Sequence, residues 1–181
     1  MAIGIKLTKA AKDSDPAVSK FFGDPVVPRS LSKRDWGEFL FFCQIELSKI
    51  APFDVDGRLP RTGRLYIFLD DANSALTPTV FYTQKEPDTV LDGFNEFYGE
   101  RQALTQAWEI HFSAVADDAE GHKLFGSPAS DWYREEKSLF LQFDPLEDPT
   151  GFFDAADGFL YLFFKNGPHD FRHLVFRADY S

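Results

Sequence analysis

Four short landmarks occur twice in this chain, in the same order. KFFGDP begins at Lys20 and KLFGSP at Lys123. FFCQI carries Gln44 and FLQF carries Gln142. TGRLYIFL contains Gly63 and DGFLYLFF contains Gly158. TVFY surrounds Val80 and LVFR surrounds Val175. The separations are 103, 98, 95 and 95 residues, a slow shrinkage of the kind loop deletions produce. A repeat of this kind confines the fold to two similar units that share a core. The pattern predicts one domain over residues 1–181, with a first repeat at about 19–83, a connecting segment at about 84–118 and a second repeat at about 119–181.

The composition says what the units are made of. Phenylalanine accounts for 21 of 181 residues, against one methionine. Aromatic side chains favour strands and each buries a large area. The expected class is α+β, β-rich, with mainly antiparallel sheet built from the duplicated unit about a pseudo-two-fold axis. Leu40–Leu47 is an apolar run that reads as a strand buried on both faces. Strands are also expected at Leu65–Leu69, Thr79–Thr83, Leu104–Phe112, Leu139–Phe143, Phe159–Phe164 and Phe171–Phe176. The polar residues 1–19 read as a short helix or an arm. Residues 84–103 are polar and ambiguous: within DTVLDGFNEFYGE, Asp88 suits the N-cap of a short helix and Gly93 opposes one. Residues 84–118 as a whole read as an insertion or an added edge.

In sequence order, the chain resembles the YwqG-like family of bacterial domains of unknown function. SKFFGDPVVP from Ser19, LFFCQIELSKI from Leu40 and GRLYIFLDD from Gly63 carry the likeness in the first half. In the second half, HKLFGSP from His122, SLFLQFD from Ser138, DAADGFLYLFF from Asp154 and the C-terminal HDFRHLVFRADYS carry it. The family pattern often has two glycines before the proline of each loop and a Trp-Pro pair before the first core strand. This chain has FGDP, FGSP and Trp36-Gly37 instead. The resemblance implies an α+β fold dominated by antiparallel sheet, and it supplies no catalytic residues.

Chemistry-bearing patterns are sparse. The chain has no GxSxG, GxxxxGK[ST], GxGxxG or CxxC. The single cysteine, Cys43, excludes an internal disulfide and reads as a small buried hydrophobe. His169 and His173 with Asp170 form a weak metal-ligand pattern, read as a polar loop. The pairs Asp70–Asp71 and Asp117–Asp118 read as solvated turns, and Asp154 and Asp157 as turn-formers. No cofactor is expected.

The formal net charge is −10, which opposes binding to a phosphate backbone and suits a basic partner. No nucleic-acid partner is expected. No membrane partner is expected either, and the start of the chain does not read as a signal peptide, so a cytoplasmic location is expected. Together these features point to a non-catalytic protein-binding module, in the manner of a bacterial immunity protein that neutralises a basic toxin domain. The candidate surfaces are Glu86, Asp88, Asp92, Glu96 and Glu100 in one segment, and Asp117, Asp118 and Glu120 in another. The alternative is a small-molecule binder or enzyme with a cleft at the pseudo-two-fold axis, touched by Gln44 and Gln142. Those two glutamines have a second reading, as partners of backbone groups at a strand end or bulge.

Overall fold

The computed structural model describes residues 1–37, 39–70, 76–96, 102–133, 135, 138–147, 149–151 and 158–179. Glu100, Asp71, Asp154 and Asp157 lie outside the described residues. The strands are β1 (Ala2–Lys9), β2 (Lys20–Phe21), β3 (Val26–Val27), β4 (Leu40–Glu46), β5 (Arg64–Asp70), β6 (Thr77–Thr83), β7 (Thr89–Val90), β8 (Trp108–Val115), β9 (Lys123–Leu124), β10 (Leu139–Phe143), β11 (Leu160–Phe164) and β12 (Leu174–Ala178). Among the described residues, the α-helical part of the expected class reduces to α1 (Arg29–Ser32) and α2 (Leu47–Ile50).

Ten strands form one antiparallel sheet in the order β12-β11-β10-β9-β1-β8-β2-β4-β5-β6. β3 and β7 pair separately. The end strands β6 and β12 lie against each other, so the sheet nearly closes into a barrel. Tyr82 and Phe171, with ring centroids 5.5 Å apart, pack across that seam.

The apolar runs are continuous because both faces of the sheet are covered. Along β5, Leu65, Ile67 and Leu69 join the largest apolar cluster, while Tyr66 and Phe68 join a second. Along β11, Leu160, Leu162 and Phe164 face the large cluster, while Tyr161 and Phe163 join a third. Phe21, Phe42 and Phe143 meet in the large cluster at centroid distances of 5.0, 5.2 and 5.6 Å. That contact joins the two halves of the chain.

Two expectations are corrected. Residues 2–9 form neither helix nor arm but a central strand, because Ile3, Ile5 and Leu7 alternate with Gly4, Lys6 and Thr8 at the period of a strand. Residues 108–115 are no added edge. β8 lies between β1 and β2, in the middle of the sheet. Residues 97–100 of the segment read for a short helix after Asp88 lie outside the described residues. Asp88 Oδ1 accepts from the Arg29 amide at 2.7 Å, and Thr89–Val90 is a strand.

The FGDP and FGSP loops leave β2 and β9 in the same conformation. Phe22 and Phe125 have φ of 55° and 63°, and Gly23 and Gly126 have φ of 68° and 78°. A Cβ on Gly126 would stand 2.4 Å from the Asp117 carbonyl oxygen. Gly126→Ala therefore combines a left-handed backbone with a collision that cannot relax cheaply. It is expected to lower stability by about 2 kcal/mol or more in urea unfolding. An unchanged midpoint would contradict this account of the loop.

Candidate functional site

The outer face of the sheet carries the same three residues side by side in each half. In the first, Gln44 on β4 lies between Lys20 on β2 and Tyr66 on β5. In the second, Gln142 on β10 lies between Lys123 on β9 and Tyr161 on β11. All six residues are buried.

Burial of two cations and two amides is tolerable only if loops bring them partners. Lys20 Nζ donates to the carbonyls of Pro16 at 2.8 Å and Asp24 at 2.6 Å. Lys123 Nζ donates to the carbonyls of Asp117, Ala119 and Ser127 at 2.9, 2.6 and 2.7 Å. Gln44 Oε1 accepts from the Val26 amide at 3.0 Å, and its Nε2 donates to the carbonyls of Pro16 and Val18. Gln142 Oε1 accepts from the Ala129 amide at 2.9 Å, and its Nε2 donates to the Gly121 carbonyl at 2.8 Å. Both glutamines are thus backbone partners, as their second reading has it, and each has 0% exposure. This geometry turns neither amide towards a ligand.

The tyrosines differ. Tyr161 Oη accepts from the Ser130 amide at 3.0 Å, whereas Tyr66 Oη is buried and has no hydrogen-bond partner among the described residues. Burial pushes both phenols up to about 12.

The acidic candidates fall into two places. Glu86, Asp88, Asp92 and Glu96 are exposed on the connection that follows β6. Asp88 is occupied by the Arg29 amide and the Thr89 hydroxyl. Asp117, Asp118 and Glu120 are exposed on the β8–β9 turn. Asp117 Oδ1 sits 2.9 Å from the Met1 amino group, which holds its carboxyl below the usual carboxylate range. That leaves Asp118 and Glu120 as the outward carboxylates of the turn.

Two residues missed in the sequence complete this surface. Leu146 is 97% exposed, in the turn after β10. Its neighbour Glu147 lies against Gly121: a Cβ there would stand 2.9 Å from Glu147 Oε2. His122 is buried and ties the turns together. Its Nδ1 accepts from the Asp144 amide at 2.9 Å, and its Nε2 lies 3.3 Å from the Glu147 carbonyl. Burial raises the Asp144 carboxyl, and the charges of Glu147 and Glu120 push the same way. Glu120 and Glu147 line one crevice of about 440 Å³, together with Gly4, Lys6, Leu7 and His122.

The remaining candidates stay apart. His173 Nδ1 is 2.8 Å from Asp170, and His169 is exposed. Among the described residues, no group of three His, Cys, Asp or Glu side chains is placed to hold a metal ion. Cys43 is fully buried, and desolvation pushes its thiol up, away from nucleophilic character. No described helix is long and apolar enough to cross a membrane. In comparisons with known proteins, the chain matches no protein-family model and no curated protein.

Two measurements probe the buried row. Gln142→Leu leaves the Ala129 amide and the Gly121 carbonyl unpartnered, and is expected to cost about 2–4 kcal/mol. Tyr66→Phe removes a hydroxyl that has no partner among the described residues, so it should be neutral or stabilising, whereas Tyr161→Phe should cost about 1 kcal/mol or more. Equal effects of the two tyrosine changes would contradict the assignment. A pH series gives an independent check. Burial pushes the ammonium groups of Lys20 and Lys123 down to about 8, with nearby carboxylates (Asp24 and Asp15, Asp118 and Asp117) pulling the other way. An unfolded lysine holds its proton to about pH 10.4. From about pH 8 to 10 the unfolded chain therefore binds more protons than the folded one. The contribution of these two lysines to stability should rise with pH across that window. Urea midpoints of wild type and Lys123→Met at pH 7.5 and 9.5 test this, and the wild type should gain on the variant. A loss would reverse the sign and sink the reading.

Proposed function

We propose that this chain is a protein-binding module that docks a basic partner on the β8–β9 turn, in the manner of an immunity protein that covers a cationic toxin domain. The observation that carries the reading is the Lys123 ammonium group. By holding the carbonyls of Asp117, Ala119 and Ser127, it fixes the turn from inside and leaves the carboxylates of Asp118 and Glu120 facing outward. The turn is further tied by the Ala119 amide donating to Ala116 and the Ser127 amide donating to Asp117. A surface ordered before binding loses less entropy on association. Carboxylates fixed around it attract a basic partner and speed the encounter. Leu146, exposed beside Glu147, supplies an apolar side chain next to these charges. Such a contact is of the kind that fills a pocket on a partner.

The same proposal takes the sheet as the product of an internal duplication about a pseudo-two-fold axis between β1 and β8. The mirrored strand order, the paired Lys-Gln-Tyr rows and the matching FG loops support it. On this reading each unit is longer at its start than the sequence repeat, because β1 corresponds to β8. The YwqG-like resemblance is retained as a proposal that rests on the ordered motifs.

Tagged wild type and an Asp118→Lys/Glu120→Lys variant, each used to capture proteins from native lysate and eluted with a salt gradient, test the binding reading. The wild type should retain a basic protein that salt releases. The variant, folded as judged by its urea midpoint, should lose it by about tenfold or more. Retention of the same protein by both chains, or no basic protein on either, would contradict the proposal.

A further inference from the structure

β1 is paired unevenly along its two edges. Its even-numbered residues face β8, and the ladder runs the full length from Ala2–Val115 to Lys9–Trp108. On the other edge β9 covers only Ile3 and Gly4, and the Ile5 amide donates to the His122 carbonyl at 2.9 Å. Beyond that point the chain opposite has not yet entered β9, which starts at Lys123. Among the described residues, the amide and carbonyl of Leu7 find no hydrogen-bond partner on that edge. The 440 Å³ crevice opens beside it, lined by Gly4, Ile5, Lys6 and Leu7 of β1, by Glu120, Gly121, His122 and Glu147 beyond its free edge, and by Ser113 and Val115 of β8 across Gly4.

We infer that the outward edge of β1 at Leu7 takes an extended basic peptide segment as an added strand. The inference rests on the docking proposal above and names the part of the partner that enters the crevice. A strand edge offers a donor and an acceptor every second residue, about 7 Å apart, which an extended backbone matches and a compact small molecule does not. The carboxylates of Glu120 and Glu147 form no ion pair among the described residues, and they outnumber the one lysine that lines the crevice, Lys6. Basic side chains on the added strand would meet both. A second copy of this chain fits poorly, since each copy carries a net charge of −10.

A second crevice provides an internal comparison. It lies beside Ile110 and Phe112 on β8, ahead of the start of β2, and has a volume of about 350 Å³. Lys49 lines it, and of its two carboxylates, Glu46 and Glu109, the first already faces Arg64 at 3.5 Å. The peptide should therefore prefer the first.

Isotope-labelled full chain titrated with an acetylated and amidated Lys-Val-Lys-Val-Lys-Val peptide tests the inference, with amide exchange read at each residue. Binding should slow exchange of the Leu7 amide by about tenfold or more and leave the Phe112 amide unchanged. The same peptide N-methylated at alternate residues should bind about tenfold more weakly, since it cannot complete the ladder. Glu120→Gln/Glu147→Gln should weaken the unmethylated peptide by about threefold or more at low salt. Equal binding of the methylated peptide with an unprotected Leu7 amide would overturn edge pairing while leaving charge-driven docking on the turn intact. No binding at low salt, or protection at Phe112 instead, would also overturn it. Protection at Leu7 in a chain whose Asp118→Lys/Glu120→Lys variant still captures its partner would fault the turn and not the edge.

Discussion

Everything on the outside of this barrel hangs on two buried lysines. Each is the first residue of a two-residue strand, and each faces outward from the sheet under a layer of loop. A buried ammonium group must be surrounded by acceptors or the cost of dehydrating it is not recovered. The chain meets that demand with backbone carbonyls from both sides of the strand. The loop before β9 and the loop after it are thereby fastened to one atom, Lys123 Nζ. The neighbouring glutamine repeats the device one strand along, taking an amide from one loop and a carbonyl from the other. Loop shape is thus set from the sheet surface outward, and the carboxylates of the turn inherit that shape.

The inside of the barrel obeys a simpler rule. Twin apolar faces require long runs of Phe, Leu and Ile with no polar alternation, as in LYIFL and LYLFF. The end strands lie against each other without a ladder, and Tyr82 of β6 packs there on Phe171, which precedes β12. Shorter free edges lie near the middle of the sheet, where β2 and β9 run for only two residues. The two crevices lie where the chain has not yet joined the sheet, ahead of Lys20 and ahead of Lys123. At their other ends β2 and β9 are cut short by the left-handed Phe22-Gly23 and Phe125-Gly126 steps, which turn the chain away from the sheet.

Much of this was legible in the sequence. The apolar runs located β4, β5, β10 and β11 within a residue or two, since burial on both faces leaves no competing period. The glutamines announced themselves as polar residues inside those runs, and their role as backbone partners follows from the cost of an unpaired amide. β1 was misread because its signal, Ile3, Ile5 and Leu7 in alternation, is diluted by Gly4 and two lysines. Lys20 and Lys123 opened both copies of the first landmark, yet a lysine beside apolar residues reads as a solvated charge unless its neighbours across the sheet are known. Glu147 and Leu146 carried no signal at all. The place of Glu147 beside Gly121 depends on contacts between segments about 25 residues apart, held by His122.

The central claim is that Lys123 orders the acidic turn before any partner arrives. Amide hydrogen exchange at Ala119 and Ser127, measured on the free chain at neutral pH with Lys123→Met alongside, tests it most directly. Protection in the wild type that falls at these two positions in the variant, while the amides of β4 and β5 stay protected, is the expected result. Exchange of the Ala119 and Ser127 amides at unfolded-chain rates in the wild type would contradict it.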